Sequence, residues 1–367
     1  MVNYAALIRH LEMHNGTMAL LTMQATSTTS RLMKLFPERI VSLLSAEHGF
    51  FGCLKKGEKA ANSWHPFWNK PIHSLYGEYR KPTQEMLEGV DRMVIDLCDI
   101  GVRSFTYLAT LKNTLESCDE FGIPVTVLDR QIPLGGILDG PSRTPEFSSF
   151  TAPINVPLCH AMTPAECAQW ICNGEGLNVD LTTILLKSWN HKDYRPWPNF
   201  VPPSPEIKTW DSAVAYPLTI FTDAYPAIDC DKDGALAYRV VGAPWLNSNA
   251  LISDLETGLE TCGVAMRPYR YQASSGPYAG FTLNGVLFSV ARPTAYYPVT
   301  AGALIFTALL QRYGDRVMAG ARPERLDKIF GSDEFRVSLS NGNLSELFTS
   351  WIEKQDAYLE TRVNLYD

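Results

Sequence analysis

The stretch Ile40-Val41-Ser42-Leu43-Leu44-Ser45-Ala46-Glu47-His48-Gly49 joins a short apolar run to a polar tip. The aliphatic side chains at 40–44 favour a buried β-strand. A second stretch repeats this design, with Met93-Val94-Ile95 leading into Asp96-Leu97-Cys98-Asp99-Ile100-Gly101-Val102-Arg103. Because the carboxyl ends of parallel strands form the crevice of an open α/β sheet, we expect the polar residues after both runs to surround one cleft. These residues are Glu47, His48, Asp96, Asp99 and Arg103.

Strand and helix patterns alternate through the first half of the chain. Strands are predicted at 18–23, 40–45, 93–97, 125–128 and 181–186, and helices at 30–36, 82–88, 104–121 and 164–173. This alternation predicts the α/β class, with a Rossmann-like parallel sheet and helices on both of its faces. Residues 53–80 form a long irregular excursion that we interpret as part of a binding rim.

The pattern changes at the proline-rich segment 195–205, because prolines are excluded from helix interiors and central strands. We therefore predict a Rossmann-like N-terminal catalytic domain over 1–207. A smaller α+β C-terminal domain over 208–367 is expected to complete the cleft, since its predicted strands are shorter and its helices fall near 300–313 and 344–356.

Composition excludes several classes of function. A net charge of -7 and a pI near 5.6, without a cluster of Lys and Arg, argue against a nucleic-acid partner. The first predicted strand leads into Gln24–Ser30, which has no glycine to approach a dinucleotide phosphate. Neither a Cys-x-x-Cys pair nor a His-Glu-x-x-His motif occurs, so no metal and no cofactor are predicted.

The first residues lack a charged region followed by an uninterrupted apolar core, and the apolar runs elsewhere are shorter than a membrane span. We therefore expect a soluble cytoplasmic protein with a small-molecule substrate and no membrane partner. The sequence leaves the oligomeric state open.

Glu47 is the strongest catalytic candidate taken from the residues alone. A glutamate at a strand end beside His48 and glycines suits a partly buried general acid, although an ion pair or a loop cap would explain it equally. Asp99 with Arg103 fits a structural ion pair as well as a binding site. His160 precedes a predicted helix that begins with the capping box Thr163 to Glu166.

Motifs in the same order identify a family resemblance. They are Glu47-His48-Gly49, Ser74-Leu75-Tyr76-Gly77, Asp96-x-x-Asp99-x-Gly101-x-Arg103, Thr106-Tyr107, Leu128-Asp129-Arg130, Gly135-Gly136, Gly140-Pro141, His160-x-Met162-Thr163, 201–205 and Gly242-Ala243-Pro244-Trp245. Together they resemble the exo-β-N-acetylmuramidase family, whose members release N-acetylmuramic acid from the non-reducing ends of peptidoglycan fragments. The resemblance implies a Rossmann-like domain, a smaller C-terminal domain and an active cleft between them.

The resemblance also implies roles for individual residues. Glu47 would be the catalytic acid, with His48 and Asp99 beside it. Arg103 would hold the lactyl carboxylate of the sugar, because a guanidinium binds a carboxylate bidentately. The remaining substrate-binding residues would be Tyr76, Asp96, Tyr107, Asp129, Arg130, His160 and Trp189, of which the tyrosines at 76 and 107 and the tryptophan would stack on sugar faces. Glycoside hydrolysis normally uses two carboxyl groups, and Asp96, Asp99 and Asp129 compete for the second position.

The chain departs from the family pattern in its C-terminal half. Where typical members carry Glu-Gly-Thr-Asn and Ser-Glu-Gly-Arg-Gly-Thr, this chain reads Thr222-Asp223-Ala224-Tyr225-Pro226 and onward to Gly234. Three hypotheses follow: a muramidase-type hydrolase of small amino-sugar glycosides, a biosynthetic or tailoring enzyme on another small carboxylated substrate, and a non-catalytic sugar binder.

Overall fold

The computed structural model describes residues 1–192, 194, 196–197 and 199–366. Arg195 and Pro198, two residues of the predicted proline-rich boundary, lie outside the described residues. The division into 1–207 and 208–367 stays a prediction.

Strands and helices alternate in the first half of the chain, as the sequence pattern predicts. The elements are α1 (Tyr4–Met13), β1 (Met18–Leu21), α2 (Thr28–Leu35), β2 (Ile40–Ser45), β3 (Ser63–Trp64), β4 (Pro71–Ser74), β5 (Arg92–Ile95), α3 (Tyr107–Phe121), β6 (Val125–Leu128), β7 (Leu138–Ser142), β8 (Pro157–His160), α4 (Pro164–Glu175) and β9 (Leu181–Ile184).

A seven-stranded sheet forms the centre of this half, in the order β3-β4-β2-β1-β5-β6-β9. Its neighbouring strands are parallel except β3, which pairs antiparallel with β4 at one edge. The predicted α/β class with a Rossmann-like parallel sheet is confirmed. Since β2 lies on one side of β1 and β5 on the other, the strand order reverses at β1.

Alternate residues of β1 pack into different cores. Met18 and Leu20 lie in a cluster with Leu7 of α1, whereas Ala19 and Leu21 lie in the main core on the opposite face. Full burial of each such leucine contributes about 1.5–3 kcal/mol. A strand covered on both faces explains why the sequence reads as continuous apolar runs rather than as an alternation.

The segment 53–80 is more regular than the sequence pattern predicts. It contains β3 and β4, and β4 extends the parallel sheet by pairing with β2. The helix predicted at 82–88 was wrong in length, since only the 3₁₀ turn Glu85–Leu87 forms. Gly89 follows it with φ +68°, a left-handed conformation that turns the chain towards β5.

The second half is built from helices around a small sheet. Its elements are α5 (Trp210–Thr219), β10 (Val240–Ala243), α6 (Ser248–Thr261), β11 (Val264–Gln272), β12 (Thr282–Val290), α7 (Pro298–Tyr313), α8 (Asp315–Met318), α9 (Pro323–Phe330), α10 (Glu334–Asn341) and α11 (Leu344–Thr361). The strands form an antiparallel sheet in the order β10-β12-β11, and α5 and α6 pack against it. A smaller α+β C-terminal part is thereby confirmed.

The two halves share one hydrophobic core. It includes Leu108 of α3, Ile305 of α7 and Trp351 of α11, all nearly inaccessible to solvent. Helices α7 and α11 also pack on β7 of the first half. Across the described residues, none of the helices combines the length and apolar character needed to cross a bilayer.

Candidate active site

Glu47 lies two residues beyond the end of β2, at the carboxyl edge of the parallel sheet, and is 4% exposed. Its carboxylate Oε1 accepts a hydrogen bond of 2.7 Å from the backbone N–H of Gly57. Its Oε2 accepts one from the hydroxyl of Thr106, the residue before α3. The Glu47 side chain is therefore oriented from two sides, by a surface loop and by a helix start.

A second carboxylate lies in the same cleft. Glu206, 5% exposed, lines it together with Glu47, and its Oε1 accepts the backbone N–H of Lys56 at 3.1 Å. The remaining lining residues are His48, Lys56, Ser104, Phe105, Thr106, Ser204, Ile207, Tyr216 and Tyr238. The open volume is about 20 Å³, which is room for about one water molecule. We call this the Glu47 cleft.

Lys56 closes the Glu47 cleft on the side of the C-terminal half. Its ammonium pairs with Asp223, which also pairs with Lys232. Burial opposes ionisation of Asp223, but the two ammonium groups outweigh it and hold its pKa below the ordinary value. The loop after β2 is thus fixed to the second half of the chain by an ion pair.

Two predicted site residues adjoin Glu47. His48 has a left-handed backbone, φ +72°, and its Nδ1 lies 2.8 Å from the carbonyl oxygen of Leu54. Because a carbonyl only accepts, Nδ1 carries the proton in this contact. Tyr76 is half-buried, and burial together with the charge of Glu47 raises the pKa of its phenol. Tyr76 therefore lies close enough to Glu47 to feel its charge, and His48 lines the cleft beside Glu47.

The predicted single cleft is divided in the structure. Asp99 and Arg130 line a different cavity of about 730 Å³, whose wall includes Tyr4, Thr26 and Pro203. Burial raises the pKa of Asp99 to about 7, even though the Gly101 N–H donates to its carboxylate. Pro203 lines this cavity, and the next residue, Ser204, lines the Glu47 cleft. The two spaces are therefore separated by the chain at these two neighbouring residues.

The carboxylate of Asp96 forms an ion pair with the guanidinium of Arg130. The guanidinium binds the carboxylate bidentately, through Nε to Oδ1 and Nη2 to Oδ2 at 2.9 Å, and both side chains are buried. Nη2 also donates towards Thr26 and Thr28 in the connection after β1. The pair therefore fastens the ends of β5 and β6 to this connection, which leaves Asp96 no free face for a substrate.

Arg103, which was predicted to bind the sugar carboxylate, does not line the Glu47 cleft. Its side chain is fully buried, and its guanidinium donates to the backbone carbonyls of Pro141, Val156, Ile329 and Phe330. Burial and the nearby Arg143 charge lower the pKa of Arg103 to about 9. Carbonyl groups accept from both of its terminal nitrogens, so Arg103 links β7, the residue before β8 and α9, and it does not line the Glu47 cleft.

Asp129 and His160 also lie in the interior. The Asp129 carboxylate accepts the N–H of Ala165 at 2.9 Å and the hydroxyl of Tyr366, while burial raises its pKa to about 6. Burial and two arginine charges lower the pKa of His160 to about 3, so its ring is neutral. The predicted capping box at Thr163 and Glu166 is present. These residues support the start of α4 and do not line the Glu47 cleft.

Two of the predicted sugar-stacking rings are packed inside the protein. The Tyr107 ring is 2% exposed, and its hydroxyl donates to the carbonyl of Pro203 at 2.7 Å and lies 3.3 Å from the carbonyl oxygen of Glu47. Trp189 is 6% exposed and packs edge-on against Tyr366. Neither ring presents a face to a sugar, because the C-terminal residues and the proline-rich segment cover them.

Sequence reasoning missed Lys56, Glu206 and Asp223 as part of this site. Glu206 directly follows the Pro202–Pro205 run, which the motif comparison used only up to Pro205. A charged residue at the end of a rigid segment is a signal that would have found it. In the part of the chain that the structure describes, no group of three His, Cys, Asp or Glu side chains is arranged to hold a metal ion.

Comparison with known proteins covers nearly the whole chain. Residues 13–211 match the family described as Exo-beta-N-acetylmuramidase NamZ, N-terminal, and residues 234–366 match its C-terminal counterpart. The chain is 30% identical over 323 residues to the peptidoglycan beta-N-acetylmuramidase NamZ of Bacillus subtilis (strain 168). This match spans 86% of the chain and 76% of that protein.

Two crystal structures share the fold. A DUF1343 family protein from Bacteroides fragilis NCTC 9343, at 24% identity, superposes with a TM-score of 0.88 over 100% of this chain and 98% of its own. A second DUF1343 family protein from that organism, at 20% identity and with the same coverage, gives a TM-score of 0.76. At these identities, the likeness speaks for the architecture alone.

Proposed function

This chain belongs to the exo-β-N-acetylmuramidase NamZ family, and on that basis we propose how it acts. It is a glycoside hydrolase that releases N-acetylmuramic acid-type sugars from the non-reducing ends of small glycosides or peptidoglycan fragments. Glu47 donates the proton to the leaving oxygen. The observation that carries this proposal is the placement of Glu47 and Glu206 in one cleft at the carboxyl edge of the sheet.

The two carboxyl groups supply the chemistry that glycoside hydrolysis requires. The acid protonates the glycosidic oxygen as its bond to the anomeric carbon breaks, and the second carboxylate assists the incoming water or attacks the carbon itself. Glu206 is our choice for the second group, in place of Asp96, Asp99 and Asp129. Asp96 is bound to Arg130, Asp99 lies in the other cavity, and Asp129 accepts from Ala165 and Tyr366.

Substrate entry requires the loop carrying Lys56 and Gly57 to move, because about 20 Å³ does not hold a sugar ring. The loop suits such a movement. Lys55, Gly57 and Glu58 are exposed, so its displacement has to break mainly the contacts of Lys56 with Asp223 and Glu206 and of Gly57 with Glu47. The ion pair of Lys56 with Asp223 then marks the closed position.

The cytoplasm is the compartment we propose for this activity. All eight cysteines are free, and all except Cys53 are buried. Free thiols persist in a reducing compartment, where structural disulfides are rare. Because the chain belongs to a family of glycosidases, a small glycan is the expected partner.

The proposal is tested with a chromogenic N-acetylmuramic acid glycoside. We expect Glu47→Gln to lower kcat by about 10²–10⁴-fold, the usual contribution of a general acid, with the fold retained by circular dichroism. Glu206→Gln should lower turnover as well, whereas Glu88→Gln, at an exposed position, should not. Full activity in Glu47→Gln would contradict the assigned role. Sugar binding without any turnover in the wild type would favour the non-catalytic binder instead.

A further inference from the structure

The cavity of about 730 Å³ lies at the point where the strand order of the parallel sheet reverses. Its walls come from the connection after β1, the ends of β5 and β6, and the proline-rich segment, and they include Ala25, Ser27, Arg31, Gln131, Phe200 and Val201. Open α/β sheets bind their ligands at this position. The volume falls within the range of roughly 300–1,000 Å³ that is typical of small-molecule sites. We call this space the switch-point cavity.

Arg130 gives the switch-point cavity a built anion contact. Its side chain is 7% exposed, and Nε and Nη2 are bonded to Asp96. Among the described residues, none accepts a hydrogen bond from its remaining nitrogen, Nη1, although Arg130 lines the cavity. A buried guanidinium held rigidly by one carboxylate is thus left with a donor for a second oxyanion.

Other wall residues fit the same kind of ligand. Arg31 adds a second guanidinium, positioned 4.6 Å above the Tyr4 ring. The start of α2 borders the cavity at Ser27, where φ is +62°, and a helix start favours anions. Asp99 offers a carboxyl group to the hydroxyls of a ligand, and Phe200 supplies an apolar wall.

We propose that the switch-point cavity binds a small acid of monosaccharide size, with its oxyanion on Arg130 Nη1 and Arg31 and its hydroxyl groups facing Asp99. This site is separate from the Glu47 cleft, since Tyr107 and Pro203 stand between them. It therefore provides a second binding function beyond the proposed hydrolysis.

Isothermal titration calorimetry with three probes tests this proposal: glucuronate, glucose 6-phosphate and glucose. We expect at least one of the two acids to bind at least tenfold more tightly than glucose. A tighter glucuronate indicates a sugar carboxylate as the natural ligand, and a tighter glucose 6-phosphate indicates a sugar phosphate.

Variants locate the bound acid without disturbing the Arg130 to Asp96 pair. Ala25→Trp, at an exposed wall position, should abolish binding by filling the cavity, and Arg31→Gln should weaken it at least tenfold. Arg9→Gln, an exposed arginine on α1 outside the wall, should leave binding unchanged and is the matched control. Undiminished binding in folded Ala25→Trp, equal binding of glucose and the acids, or no binding of either acid would overturn the proposal.

Discussion

The Glu47 cleft and the interior around Arg103, Asp129 and His160 differ in the hydrogen-bond partners of their polar side chains. Both contain ionisable side chains from the motifs that resemble the family. In the cleft, donors to Glu47 come from a loop N–H and a hydroxyl beside an open space. In the interior, backbone carbonyls accept hydrogen bonds from Arg103, and the hydroxyl of Tyr366 donates to Asp129. A charged motif residue thus serves chemistry only where the packing leaves one of its faces unoccupied.

Replacing Arg103 should give the largest effect on stability and tests whether the interior residues are structural. We expect Arg103→Met to lower the free energy of unfolding by about 3–5 kcal/mol, because several buried carbonyl groups lose their donor. Urea denaturation measures the change, and the exposed Arg9→Met is the control. If Arg103→Met instead remains stable and loses only turnover, the interior belongs to the active site after all.

The buried ring of His160 predicts an acid sensitivity that is specific to the interior. The unfolded chain protonates this imidazole below its ordinary pKa of 6.5, whereas the folded chain does so only near 3. Stability is therefore lost as the pH falls through this window, by about 3 kcal/mol between pH 6.5 and about pH 4. Denaturation at both pH values should show a smaller loss in His160→Gln and an unchanged loss in the exposed His14→Gln. Equal losses in all three proteins would argue against a neutral buried ring.

Replacing Thr106 tests whether a residue of the Glu47 cleft affects turnover and not stability. We expect Thr106→Val to lower kcat about fivefold with little change in KM, because Glu47 loses an orienting hydrogen bond that is worth about 1 kcal/mol. Thr114→Val is the matched control, since Thr114 lies within α3, the helix that Thr106 precedes, and its hydroxyl donates to the carbonyl of Thr110. A change in thermal stability without a change in kcat would make the Thr106 hydroxyl a structural group.

Asp99 should give the smallest effect. Burial raises its folded pKa to about 7, above the ordinary 3.8, so this group costs stability as the pH rises through that range. Asp99→Asn removes the cost, and we expect a gain of about 1 kcal/mol near pH 8 and almost none near pH 4, after allowance for its partial exposure. Thermal unfolding at the two pH values checks this. A loss at pH 8 would show that the ionised carboxylate stabilises the fold.

Most of the sheet could be predicted from the sequence, because buried parallel strands read as compact apolar runs. Strands β2 and β6 have the predicted bounds. Strand β4 was not predicted, since Pro71-Ile72-His73-Ser74 carries too few apolar residues to stand out within 53–80. Helix α5 was also missed, because Pro217 inside it argues against a helix although the structure tolerates it there.

The sequence predicted where the candidate site lies in the fold, but not which residues line it. A predicted strand end located Glu47 and His48 at the carboxyl edge of the sheet, whereas Tyr76 came from the family resemblance alone. Phe330, whose carbonyl accepts from Arg103, and Tyr366, which packs on Trp189, each lie more than 170 positions along the chain from that partner, and local patterns carry no information on such contacts. The contact of Glu206 with Lys56, 150 positions earlier, was missed for the same reason, since only the folded chain brings the two residues together.

The contact of Arg103 with the carbonyl of Phe330, 227 positions later, bears on how this protein can be recombined with its relatives. A chimaera that takes residues 234–366 from another family member would place the backbone of that member opposite this guanidinium. Its viability would depend on whether that backbone still offers carbonyl oxygens at the same place. The two segments are therefore expected to be exchangeable only as a matched set, in design and in inheritance alike.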